Sequence, residues 1–120
     1  MPLPKMLRDL LTLPTAAFVE SAVMSYVDAA CRKFRNTTVR VDRYGNLLAH
    51  YAKNSPNRPP IAFSAHTDHP GFCSLRMKGK GTLLAAFRGW VEPEYFLGTG
   101  VRFWSGGKWV RGRIAKVTKV

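Results

Sequence analysis

The run Ile61-Ala62-Phe63-Ser64-Ala65 constrains this chain more than any other feature. It is apolar at successive positions, is preceded by Pro59-Pro60, and ends in the turn-rich stretch His66-Thr67-Asp68-His69-Pro70-Gly71. A short apolar run with such borders suits a strand buried on both faces. A strand of that kind needs neighbours on both edges, so the run predicts an α/β sheet and delivers the chain, at its carboxyl end, to His66.

The segments before it fit that expectation. Residues 4–12 predict a short helix, with Pro4 in its first turn and Met6, Leu7, Leu10 and Leu11 at helical spacing. Pro14 ends it. Thr15 is the expected N-cap of a longer helix to about Phe34, whose stripe of Val19, Val23, Tyr26, Val27, Ala30 and Phe34 reads as core packing. Residues 37–41 and 47–51 then predict a hairpin around the turn residues Arg43-Tyr44-Gly45-Asn46, and residues 53–60 a proline-stiffened surface loop.

After Pro70 no helical period remains. Residues 71–77, 82–88, 100–104 and 108–117 read as strands separated by glycine-rich turns, the pattern of a small β-barrel. A boundary is therefore expected at residues 69–72, between a first domain of residues 1–70 and a second of residues 71–120. There is no internal repeat and no low-complexity tract.

Composition narrows the class. In 120 residues, 46% apolar and 12% aromatic content excludes an intrinsically disordered chain. Nineteen Lys and Arg against seven Asp and Glu make the net charge +12, which attracts polyanions. The excess is spread over both halves, with no basic tail. Cys31 and Cys73 have no zinc-ribbon or disulfide-scaffold spacing and are expected as free buried thiols. The first 13 residues lack the apolar core of a signal peptide, and no stretch approaches a membrane span. Together these features predict a soluble, cytoplasmic protein.

Chemistry concentrates in His66-x-Asp68. A histidine beyond the carboxyl end of a sheet strand is well placed to bind a metal, and an aspartate two residues on can accept its other N–H and fix its tautomer. The plainer alternative is a turn-capping aspartate beside a structural histidine. His69 reads as lining the mouth of such a site, and His50 as a surface or partly buried histidine.

Asp42-Arg43-Tyr44-Gly45-Asn46-Leu47, followed by the apolar run and Ser64-Ala65-His66-Thr67-Asp68-His69-Pro70-Gly71-Phe72, resembles the N-terminal part of the glutamyl aminopeptidase-like (tetrahedral aminopeptidase) family of co-catalytic metallopeptidases. Leu13-Pro14-Thr15 to Glu20 resembles that family's loop into its second helix, although Ala16-Ala17 stands where a Ser-Gly pair is usual. The resemblance implies an α/β/α sandwich of zinc-exopeptidase type, interrupted after the His-x-Asp loop by an inserted β-barrel. The run Gly81-Thr82-Leu83-Leu84 through Phe87-Arg88-Gly89, and then Leu97-Gly98-Thr99-Gly100-Val101 and Val110-Arg111-Gly112-Arg113-Ile114, resemble the start of that insert.

Carried over, His66 corresponds to a metal ligand and Asp68 to the catalytic-site carboxylate that orients it, while His69 replaces an acidic residue often found there. The resemblance implies two zinc or cobalt ions, a peptide substrate that loses its N-terminal residue, and assembly into homo-oligomers through the insert. The family's remaining acidic ligands, its general-base glutamate and its distal histidine have no counterpart before Val120. The chain by itself is therefore expected to be an inactive N-terminal portion, with open sheet edges.

A second reading takes the charge at face value. Residues 71–120 interleave Phe87, Trp90, Tyr95, Phe96, Phe103, Trp104 and Trp109 with ten Lys and Arg, as a small barrel binding single-stranded nucleic acid would. The same alternation arises in any half-buried strand with a basic solvent face, so most of these aromatics are expected in a core and nucleic acid is not the expected partner. Gly79-Lys80-Gly81-Thr82 and Gly98-Thr99-Gly100 lack phosphate-loop fingerprints and read as hairpin turns.

Overall fold

A computed structural model describes residues 4–53 and 59–118. In chain order its elements are α1 (Lys5–Thr12), α2 (Ser21–Cys31), β1 (Thr37–Val41), β2 (Leu47–Tyr51), β3 (Gly71–Gly79), β4 (Thr82–Arg88), a 3-10 turn at Pro93–Tyr95, β5 (Gly100–Ser105) and β6 (Lys108–Arg113). The fold is thus mixed α and β. The described strands form three separate two-stranded antiparallel ribbons, β1–β2, β3–β4 and β5–β6. Two compact units emerge: one is built on Glu20–Thr67 with the chain before Ala16, the other on Ala16–Val19 with the chain after Thr67.

In the first unit α1 begins after Pro4, whose missing N–H costs nothing at a helix start. Its leucine stripe stays largely in water, Met6, Leu7 and Leu11 being exposed and Leu10 half-buried. The Tyr26 hydroxyl lies 3.4 Å from the Met6 carbonyl oxygen and so connects α2 to α1.

α2 begins at Ser21, six residues after the expected N-cap. Thr15 is engaged elsewhere, its hydroxyl donating to the Thr67 carbonyl oxygen at 3.2 Å. Residues 16–19 close a tight turn in which the Val19 N–H donates to the Ala16 carbonyl at 2.8 Å, with Phe18 at φ 67°. Helical dihedrals are excluded there. The helix also stops short of Phe34, which is 57% exposed. Of the expected stripe, Val23 is buried, and Tyr26, Val27 and Ala30 are half-buried.

The β1–β2 hairpin forms as the sequence predicts, Val39 facing Ala49 and Val41 facing Leu47. Its turn is closed by Asp42, whose carboxylate accepts from the backbone N–H groups of Tyr44 (2.8 Å) and Asn46 (2.9 Å) and from the Asn46 amide (2.9 Å). Gly45 sits at φ 88°, where a side chain would be strained.

The run at residues 61–65 departs most from expectation. Residues 59–69 carry no helix or strand, and Ile61 and Phe63 are 83% and 94% exposed. A lone segment gains nothing by extending unless a second backbone edge takes its N–H and C=O groups, and no described strand does so.

The second unit is organised by three rings. Phe72 on β3, Phe87 on β4 and Phe96 after the 3-10 turn pack at centroid distances of 5.0, 5.1 and 4.6 Å. β6 ends at Arg113, short of the expected residue 117. Its ladder is prolonged only by the pairs Gly98 N–H to Ile114 carbonyl (2.8 Å) and Ile114 N–H to Thr99 carbonyl (3.0 Å), because the partner strand turns away at Phe96–Gly98. Gly98-Thr99-Gly100 is thus the entry to β5 rather than a hairpin turn. Of the seven aromatics, most of which were expected in a core, Phe87, Phe96, Phe103 and Trp109 are half-buried, whereas Trp90, Tyr95 and Trp104 are exposed.

Among the described residues only Ala16 and Val23 are fully buried apolar side chains. The chain exposes 10732 Å². Two independent globules of half its mass would expose about 7,800 Å² together. Large apolar side chains that folding normally removes from water, among them Phe18, Ile61, Phe63 and Trp90, remain in it.

Candidate functional site

Thr67, between His66 and Asp68, is held by side-chain hydrogen bonds, and no described strand includes it. Thr67 receives the Thr15 hydroxyl on its carbonyl oxygen, and its own hydroxyl lies 3.8 Å from the Met24 sulfur on α2. The residue after His66 is thereby tied to the loop that precedes α2. His66 itself is exposed.

Asp68 belongs to the second unit and is half-buried. His69 is exposed, and its Nδ1 stands 3.1 Å from the Pro70 carbonyl oxygen, a contact in which Nδ1 is the donor. Pro70 is fixed by close approach of Gly89. A Cβ at Gly89 would lie 2.7 Å from the Pro70 Cβ and 3.0 Å from the Phe87 ring, and Gly89 has φ 150°. Thr15 and Gly89 are positioning residues that sequence spacing did not reveal. Thr15 had an adequate local role as a helix cap, and Gly89 resembled any loop glycine.

The other candidate chemistry is dispersed. His50 lies exposed on β2 opposite Thr38. Cys31 and Cys73 are free thiols, half-buried rather than buried. A shallow depression lined by Pro93, Glu94, Leu97, Ala115, Lys116 and Val117 holds one acid and one base but no histidine or cysteine. The Asp42 carboxyl is held below the usual carboxylate range by the Asn46 side-chain amide first, then by the backbone N–H groups of the turn. That shift belongs to turn closure.

No group of three or more His, Cys, Asp and Glu side chains that could hold a metal occurs among the described residues. Zinc requires three or four ligands, and a two-metal centre more. These residues alone do not build the centre that the resemblance implies. No described helix is long and apolar enough to cross a membrane. Comparison with protein-family models, curated proteins and solved structures finds no match to this chain.

Proposed function

We propose that the chain is the N-terminal part of a cytoplasmic, metal-dependent aminopeptidase that removes N-terminal residues from peptides, and that it is inactive by itself. In this reading residues 61–65 become a central strand of an α/β/α sandwich, and the β3–β6 ribbons belong to an inserted barrel that assembles into a homo-oligomer. His66 supplies one ligand to a pair of zinc or cobalt ions and Asp68 orients it. Further polypeptide supplies the remaining ligands.

The observation that carries the proposal is the exposed run ahead of His66. Ile61 and Phe63 stand 83% and 94% in water, in a segment whose composition suits burial on both faces. Such a segment is explained by neighbours that the described ribbons do not provide. The Asp42–Asn46 hairpin lies ahead of it in the order the resemblance requires.

Reading the gene beyond the Val120 codon is the first test. An in-frame or separately encoded remainder bearing acidic ligands and a distal histidine is expected, and its absence overturns the proposal. The reconstituted enzyme, loaded with zinc or cobalt, is expected to cleave aminoacyl nitroanilides. His66→Ala is expected to lose both bound metal and activity, and Asp68→Asn to weaken metal affinity about 10- to 100-fold. Full activity in His66→Ala refutes the site.

A further inference from the structure

The β5–β6 ribbon sorts its side chains in a way that alternation along one strand does not reveal. Gly100, Arg102 and Trp104 lie opposite Arg113, Arg111 and Trp109. Residues directly opposite in an antiparallel pair share a face, and every second residue returns to it. One face therefore carries three guanidinium groups and both indoles, with no acid. Val101, Phe103 and Val110 occupy the other.

Arg102 faces Arg111 across the ribbon, and like charges so placed destabilise it. The ion pairs Lys5–Asp9 and Arg32–Asp28 lie elsewhere in the chain, and this face carries no carboxylate of its own. The Arg102 guanidinium instead lies over the Trp109 ring at 4.3 Å. Trp104 meets Trp109 edge to face, centroids 5.3 Å apart, and remains 50% exposed. The unit containing the ribbon has ten Lys and Arg against three acids.

We propose that this face binds single-stranded nucleic acid, with phosphates on Arg102, Arg111 and Arg113 and an unpaired base stacked on Trp104. The charge complement is a polyanion, whose phosphates would relieve the repulsion between facing arginines. The exposed indole selects among polyanions, since a flat π-face rewards a base that is out of its duplex. Same-face residues recur about every 6.8 Å along a strand, which matches successive phosphates of an extended single strand. The inference is independent of the peptidase reading.

The test is fluorescence anisotropy of labelled 20-mers of dT and rU with the full chain at several salt concentrations. Three phosphate contacts predict a slope of log K against log salt of about −2, reduced in size by about 0.7 in Arg111→Gln. Trp104→Ala is expected to weaken binding about 5- to 150-fold with the slope unchanged, and Trp104→Phe to retain most of the affinity. No binding by the native chain overturns the proposal. So does equal affinity for a duplex, full competition by phosphatidylserine vesicles, or affinity in Trp104→Ala within about twofold of native. Circular dichroism checks that each variant keeps its ribbons; if Trp104→Ala does not, the Trp104→Phe affinity and the Arg111→Gln slope decide the matter.

Discussion

Replacing Ile61 and Phe63 together by serine separates two accounts of the exposed run. Full burial of such side chains contributes about 1.5–3 kcal/mol each, as an upper estimate. At 83% and 94% exposure almost none of that is realised within the chain. The double variant is therefore expected to keep its own stability within about 0.5 kcal/mol. The same surface is expected to drive self-association, because covering these groups between chains would recover most of about 3–5 kcal/mol. At 1.4 kcal/mol per tenfold, removing both is expected to weaken self-association by a factor of about 100 to 5,000. Sedimentation velocity over a wide concentration range measures this change, and far-UV circular dichroism verifies the fold. A variant that unfolds would show that the run is packed at home, and one that associates like the parent would show that other surfaces drive assembly. Either result would refute the reasoning.

Gly89→Ala is expected to destabilise the second unit by about 2–4 kcal/mol, combining left-handed backbone strain with a methyl group forced on Pro70 and Phe87; an unchanged thermal midpoint would contradict this. The Asp42 carboxyl titrates below its unfolded value, so its contribution to the β1–β2 turn is complete above the ordinary carboxylate pKa and is lost as pH falls through the lowered one. Hydrogen exchange at the Asn46 amide, corrected for intrinsic pH dependence, is therefore expected to lose protection on acidification below about pH 4. The same measurement on Asp42→Asn is expected to lack that acid-dependent step.

The ribbons were legible because their determinants are local. Asp42 reaches the N–H groups of Tyr44 and Asn46 within four residues, so hairpin closure is encoded where it happens. His66 and Asp68 were likewise read as candidates from adjacency in the chain. The environment of that pair was not legible. Thr15 lies 52 residues from the carbonyl it holds, and its local signal, a helix cap, lost to that distant acceptor. The close approach of Gly89 to Pro70 also joins residues far apart in sequence.

By itself the sequence determined the turns at residues 43–46, 79–81 and 105–107, the first helix and the mixed α and β class, because dihedral preference and short-range hydrogen bonds act within a few residues. Tertiary structure decided where α2 begins, that residues 61–65 remain in water, and that Arg102, Arg111 and Arg113 share a face with Trp104 and Trp109. Each outcome depends on which backbone edge or distant group is available as a partner, and periodicity along one strand does not contain that information.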